Sequence, residues 1–366
     1  MKAQYVCAVC GKTESVATRA PRCECGGLWK LRYDLPKFSE DLIDREEWSI
    51  FRYRAFMPLT DDTWRSVTLG EGMTPVIPFD DDLMLKMDYF MPTLSFKDRG
   101  AAVLVSHCKS IGVTDVVQDS SGNAGNSVAA YCGHVGIRCG IFVPEGTSPK
   151  KIDMIRAHGS EVNVVPGSRD HCADVCRAKV RNEGKYYANH VFNPFFYEGT
   201  KTYIYEVYEQ LHRIPRNIFI PLGNGTLFLG AVFGLEHLLE SGVIDRMPNL
   251  IAVQSERCAP FAEAKRQGLA GPAEVHPLPT MAEGIAIGQP MRGKEILEKI
   301  YQYDMEIVEI PEEDILPARA ALAAKGIYCE HTTAGNFAAY REYCRLHGKT
   351  PDSLITMCGA GLKSDH

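Results

Sequence analysis

Four short stretches of this sequence set reactive or hydrogen-bonding side chains beside the glycines of tight turns. In SFKDRG (95–100), Lys97 stands where an apolar strand-like run hands over to a small-residue helix. A lysine there is either a solvated surface cation or, once desolvated, a nucleophile able to form a Schiff base with an aldehyde. In DSSGNAGNS (119–127), Ser120, Ser121 and Asn123 lie beside backbone N–H groups that Gly122 and Gly125 keep open. That arrangement suits a carboxylate, although a plain serine N-cap uses the same residues. PLGNGTLFLG (221–230) places Gly223, Asn224, Gly225 and Thr226 at a helix N-terminus, as a phosphate cradle or simply a tight turn. It lacks the lysine of a P-loop and the full dinucleotide fingerprint, so ATP and NAD fit poorly. In LITMCGAGLKS (354–364) a strand ends at Cys358, before a Gly-Ala-Gly turn. Taken together, a Schiff-base lysine, a phosphate cradle and a carboxylate nest are the parts that hold pyridoxal phosphate and an amino acid.

These stretches need a scaffold that aims helix N-termini and strand ends at one place. From about residue 82 the chain alternates β-rich and helical runs. Strands are expected at 82–89, 114–118, 137–144, 161–166, 216–222, 249–256 and 353–358. Helices are expected at 97–112, 124–136, 149–159, 199–212, after 225, at 313–326 and at 334–348. Such alternation predicts an α/β fold of parallel sheets covered on both faces, with ligands beyond the carboxyl ends of the strands.

Composition bounds the rest. The 366 residues suit two lobes rather than one core. Hydrophobic residues make up 45% and charged residues 23%, as in a soluble globular protein. A net charge of −6 without a basic run argues against nucleic acid. No apolar stretch is long enough to span a bilayer, and MKAQYVCAVCGK is too polar for a secretory leader. Most of the thirteen cysteines are scattered through apolar contexts, which fits reduced thiols in the cytoplasm better than a disulfide framework. Cys7, Cys10, Cys23 and Cys25 instead form a CxxC…CxC cluster. Four thiolates can close a tetrahedron on structural zinc; the other reading is a knuckle of metal-free thiols.

The sequence resembles the threonine synthase family of fold-type II pyridoxal-phosphate enzymes. The matches run in order along the chain: LGEGMTPVIP (69–78), PTLSFKDRG (92–100), SSGNAGNS (120–127), NPFFYEGTKT (193–202), IYCEHTTAG (327–335) and CGAGLK (358–363), with LRYDL (31–35) and IFRYRAFMP (50–58) before them. Related members also carry a cysteine cluster near the N-terminus. The resemblance implies a tryptophan synthase β-like fold with a cysteine knuckle at 1–30. A larger cofactor-binding domain would comprise 31–95 with 201–366, and a smaller mobile one 96–200. It implies that Lys97 bonds the cofactor and shuttles protons, and that Gly223, Asn224, Gly225 and Thr226 hold its phosphate. Asn123 would meet the ring oxygen and Cys358 would face the pyridine nitrogen. Ser120, Ser121, Gly122 and Ala124 would line the substrate carboxylate site.

The activity implied is a lyase reaction, O-phospho-L-homoserine and water to L-threonine and phosphate, in a cytoplasmic homodimer. A neutral group at Cys358 leaves the ring nitrogen without a proton, which favours elimination or replacement over transamination. Three departures point to an alternative, β-elimination or β-replacement on serine, threonine or O-phosphoserine by a dehydratase or cysteate-synthase-like enzyme. Leu94 replaces the glycine of PTGSFKDRG, Phe196 the arginine of NPYRIEGQKT, and Ala360 the histidine of TGHGLK. Arg169 and Lys201 are candidates for the missing cation. Glu283, Glu330, His190 and His331 are further acids and histidines that could face the site. The chain ends at Asp365-His366, and no regulatory domain is expected to follow.

Overall fold

A computed structural model describes residues 3–363. The outermost residues of the expected knuckle and C-terminal segments, and Ser364 of the last motif, lie outside these. The chain forms two compact units. Among the described residues, one contains 3–73 together with Met91–Thr200; the other contains Thr74–Phe90 and 201–363. The family resemblance groups 31–95 with the C-terminal segment. In the structure only Thr74–Phe90 of that stretch lies there, because its strands pair into the C-terminal sheet.

The first unit begins with a three-stranded antiparallel sheet ordered Thr13–Ser15, Ala3–Cys7, Trp29–Tyr33. Its main sheet is parallel and four-stranded, ordered Glu161–Val165, Arg138–Pro144, Asp115–Gln118, Tyr186–Tyr187. The inner strands read as near-continuous apolar runs, with Val116, Val117, Ile141, Phe142 and Val143 all buried, as a sheet covered on both faces requires. From Asp115–Gln118 the chain moves outward on one side and returns on the other at Tyr186–Tyr187. The order therefore reverses beside Gln118, and the 119–127 loop leaves from that point.

The second unit holds a six-stranded sheet ordered Ile307–Ile310, Asn249–Ser255, Asn217–Pro221, Ser353–Thr356, Leu83–Lys86, Val76–Pro78. All neighbours are parallel except the edge pair Val76–Pro78 and Leu83–Lys86. Here the order reverses between Asn217–Pro221 and Ser353–Thr356, which pair in register through Phe219 and Ile355. The turn 222–226 and Cys358 leave the carboxyl ends of these two adjacent strands. That crevice is where open α/β sheets bind ligands.

One expectation differs from what folds, and one helix lies where none is expected. No strand directly precedes Lys97; residues 87–96 intervene as a loop between Leu83–Lys86 and the helix Lys97–Ser110. A helix spans Arg169–Glu183, a stretch with little apolar period; only Cys172 and Cys176 of it are buried.

Glu71, in the LGEG motif, ties the first unit together. It is fully buried and accepts from Tyr131 Oη of the helix Asn123–His134 at 2.8 Å, from Leu69 N at 2.9 Å and from Thr68 Oγ1 at 3.1 Å. Burial pushes its carboxyl from 4.5 up to about 7, against the pull of those hydrogen bonds. A raised carboxyl favours the folded state below pH 4.5, and that advantage is lost as pH rises through 7. Urea unfolding across this window should show a loss on the order of 3 kcal/mol. Glu71→Gln should remove most of that slope, and an unchanged slope would reject the assignment.

Candidate active site

Lys97 opens the helix Lys97–Ser110 and is partly buried. Its Nζ lies 4.3 Å from the centroid of the Phe96 ring and 5.9 Å from that of Phe196, within range of both π faces. Phe196 is fully buried and packs on the same helix; a Cβ on Gly100 would stand 2.3 Å from its ring, so only glycine admits it. The helix start is held by Asp98, which sequence reasoning missed. Its buried carboxylate accepts from Thr93 N at 2.7 Å, from Thr93 Oγ1 at 2.5 Å and from Ser127 Oγ. One acid thus fixes the loop before Lys97 and the helix Asn123–His134 together. Its only signal is an acid in the first turn of a helix, which alone does not distinguish it from a dipole partner.

Leu94 adopts φ 61°, the left-handed region, and is 41% exposed. A β-carbon there costs roughly 1–2 kcal/mol. Leu94→Gly is therefore expected to raise stability by up to about 1 kcal/mol, the relieved strain outweighing the loss of a part-exposed side chain. A destabilised variant in urea unfolding would show that the leucine side chain itself holds the loop.

The 119–127 loop follows at the switch point of the same unit. Asp119 anchors it, accepting from Tyr187 Oη at 2.6 Å and Asn189 Nδ2 at 2.8 Å. The helix begins at Asn123 with Gly122 at the cap, no side-chain cap and no acid in its first turn. Ser120 is buried, Ser121 and Asn123 are half-buried, Gly122 is exposed and Ala124 is buried. The N–H groups of Ser120, Ser121 and Gly122 meet no protein acceptor among the described residues. A concave run of unused donors with a buried hydroxyl fits a carboxylate. His190 sits nearby: its Nδ1 is 3.1 Å from Gln118 Nε2, and its ring centroid is 5.7 Å from that of Phe196. Burial, then the charges of Lys97 and Arg169, drive its pKa well below the usual imidazole value. It is a neutral imidazole, not an imidazolium acid. His331 is likewise buried, with Nε2 3.0 Å from Arg319 Nη1 in the second unit.

In the second unit the turn after Asn217–Pro221 leads into the helix Thr226–Glu240. Gly225 has φ 75°, and a Cβ there would meet Ile296 at 2.4 Å; one on Gly223 would meet Gly284 O at 2.9 Å. The N–H groups of Gly223, Asn224 and Gly225 donate to no protein acceptor among the described residues, and the helix carries no side-chain cap. Thr226 is buried at the first helical position. Free N–H groups, a hydroxyl and a helix N-terminus without acids form a site for a phosphate dianion.

Beside it, Cys358 Sγ lies 3.0 Å from Thr333 Oγ1 and 3.8 Å from Glu330 Oε1. Thr333 also accepts from Gly359 N at 3.0 Å, so it fixes the strand end as well as the thiol. The sequence marks IYCEHTTAG as a motif but does not single out this residue. Glu283 is exposed on a short 3₁₀ turn; the following Gly284 N donates to Thr332 Oγ1 at 3.1 Å.

The family described as pyridoxal-phosphate dependent enzyme matches residues 67–359. The chain belongs to this family. It is 31% identical over 351 residues to a threonine synthase of Methanocaldococcus jannaschii, covering 92% of this chain and 86% of that one. It is 30% identical over 342 residues to a threonine synthase of Synechocystis sp., with 86% and 87% covered. Among solved structures, a threonine deaminase from T.th. superposes with a TM-score of 0.69 at 23% identity, over 83% of this chain and 97% of that one. Threonine deaminase isoform 2 of Solanum lycopersicum gives 0.70 at 19% identity, over 89% and 86%. These two show the fold alone.

This pyridoxal-phosphate dependent enzyme is therefore a threonine synthase-like lyase of fold type II that takes an amino-acid substrate. Its two parallel switch points and unused N–H groups fit the cofactor's phosphate and a substrate carboxylate. No helix among the described residues is long and apolar enough to cross a membrane.

The N-terminal knuckle brings its four cysteines together. Their Sγ atoms all lie within 4.8 Å of one another, with Cys7–Cys25 at 3.4 Å, Cys10–Cys25 at 3.5 Å and Cys10–Cys23 at 3.7 Å. A zinc ion bound at about 2.3 Å from each sulfur needs tetrahedron edges of about 3.8 Å. The donor set and spacing fit that ion.

Proposed function

We propose that the enzyme converts O-phospho-L-homoserine and water to L-threonine and phosphate. The observation that carries this reading is the near-full-length likeness to threonine synthases in a chain that keeps Lys97, the 119–127 loop and the 223–226 turn. When bound, pyridoxal phosphate withdraws electrons from Cα and so acidifies its proton. In this reading Gly223, Asn224, Gly225 and Thr226 hold the cofactor's phosphate, Asn123 meets its ring oxygen, and Cys358 lies at its ring nitrogen. Ser120, Ser121, Gly122 and Ala124 orient the substrate carboxylate. Lys97 takes the Cα proton. Loss of a Cβ proton then lets the Cγ–O bond break with release of phosphate. Water adds its hydroxyl at Cβ, and returned protons complete threonine. The Cys358 thiol offers the ring no carboxylate, which favours elimination over transamination. We further propose a homodimer, as the resemblance to the threonine synthase family implies, and the thirteen free cysteines suit a reducing, cytoplasmic setting.

One observation favours a second reading. Phe196, at the position of the family's arginine, is buried against the Lys97 helix and offers no charge to a substrate phosphate. Arg169 acts electrostatically on His190, as Lys97 does, and is a candidate in this unit for the missing charge. A panel separates the readings. O-phospho-L-homoserine should release phosphate, whereas keto acid formed from L-serine or L-threonine, without turnover of the phosphorylated substrate, would establish the dehydratase reading.

We also propose that Cys7, Cys10, Cys23 and Cys25 hold structural zinc. Metal analysis should find about one zinc per chain. Chelation should expose the 3–33 segment to protease while the 201–363 segment stays resistant. Cys23→Ala should bind none; full zinc content in that variant would overturn the site.

A further inference from the structure

The enzyme is net negative, yet the first unit carries a concentrated positive hollow between the knuckle loop and the helix Arg169–Glu183, lined in part by Tyr187. Arg19 and Arg22 reach it from the knuckle loop, and Arg177, Arg181 and Lys185 from the end of the helix Arg169–Glu183 and the turn after it. The cavity has a volume of about 260 Å³. Pro21, Val180 and Phe192 give it an apolar floor.

Two of the five cations are neutralised within the fold. Arg177 pairs with Asp174 at 2.5 Å, and Lys185 lies 3.5 Å from Asp115 and 3.7 Å from Glu183. Arg19, Arg22 and Arg181 have no acidic partner among the described residues. Three unpaired guanidiniums sharing one hollow repel one another unless an anion joins them. The knuckle loop that carries two of them is firmly placed. The buried Trp29 donates from Nε1 to Ala20 O at 2.9 Å, Thr18 N donates to Ser15 O at 3.0 Å, and Cys23 N donates to Gly27 O at 2.9 Å. The backbone that carries Arg19 and Arg22 is thus in place before any ligand arrives, so that only their side chains remain to be ordered on binding.

We infer that this hollow is a second ligand site, for a small organic phosphate monoester with an apolar or aromatic body. The guanidiniums match the planar, bidentate demands of a phosphate, and the floor takes the apolar part. Inorganic phosphate satisfies only the first requirement.

Calorimetry on the cofactor-loaded full chain tests this with phenyl phosphate and inorganic phosphate as probes. Phenyl phosphate should bind at least ~10-fold more tightly than inorganic phosphate, and more weakly as salt is raised. Arg19→Ala with Arg181→Ala should weaken it by ~10-fold or more, and Arg181→Glu should weaken it further. Both positions are exposed and unpaired, so circular dichroism should show folded variants. Equal affinity for the two probes would mean a non-specific anion patch and overturn the proposal. Phenyl phosphate binding that survives both variants would place it elsewhere, and so would displacement by O-phospho-L-homoserine. Binding is read directly, so failure here leaves the reading of the main reaction untouched, and the converse holds.

Discussion

Lys97→Ala should lower turnover of the amino-acid substrate by about 10³-fold or more, because it removes the group proposed to bond the cofactor and move the Cα proton. The fold should survive. Alanine is the best helix former at that position. The helix start is held by Asp98 through Thr93 and Ser127, none of which needs the Lys97 side chain. Pyridoxal phosphate should still associate through the 223–226 turn, but dialysis should remove it more readily. A small primary amine added to the variant should restore part of the rate. Rescue distinguishes lost chemistry from lost structure, since a misfolded variant has nothing for the amine to complete. Near-normal turnover in Lys97→Ala would remove the lysine from the mechanism.

Lys86→Met should lower stability by about 3–5 kcal/mol. Lys86 and Glu206 are both 0% exposed and 2.8 Å apart. The ammonium also donates to Thr74 O at 2.5 Å, and Thr74 Oγ1 donates to Asp88 at 2.8 Å. One cation therefore serves the antiparallel edge of the six-stranded sheet and the helix Thr202–Leu211 at once. Methionine removes the cation 2.8 Å from the buried Glu206 carboxylate. Adding Glu206→Gln should recover much of the loss, because a neutral amide needs no counter-charge. Equal unfolding midpoints in urea for wild type and the single variant would show that the pair is energetically idle.

Much of the scaffold is legible directly from local pattern. NIFIP and NLIAVQS are short, unbroken β-rich runs, and both fold as buried parallel strands. The turns that follow strands carry Gly, Asn and Ser because free N–H groups and close approaches need them there. What local pattern does not show depends on contacts distant in sequence. The polar stretch RDHCADVCRAKVRNE folds as a helix on two buried cysteines, Cys172 and Cys176, packed with Val117 and Phe142. Asp98 and Thr333 matter through partners 29 and 25 residues away, in Ser127 and Cys358. The loop 87–96 reads as continuous with the strand before it, because MDYFM is apolar and nothing local shows that Met87 and Met91 belong to different units. The departures at Leu94 and Phe196 are plain in the sequence, but their meaning is spatial. One is a strained backbone position, and the other is an apolar wall 5.9 Å from the lysine.

The most direct test of the central claim is to reduce the cofactor-loaded enzyme with borohydride, digest it and locate the pyridoxyl group by mass spectrometry. The account predicts a single modified peptide containing SFKDR, with the group on Lys97, and none in Lys97→Ala. A pyridoxyl group on another lysine, or none on the wild-type chain, would contradict it.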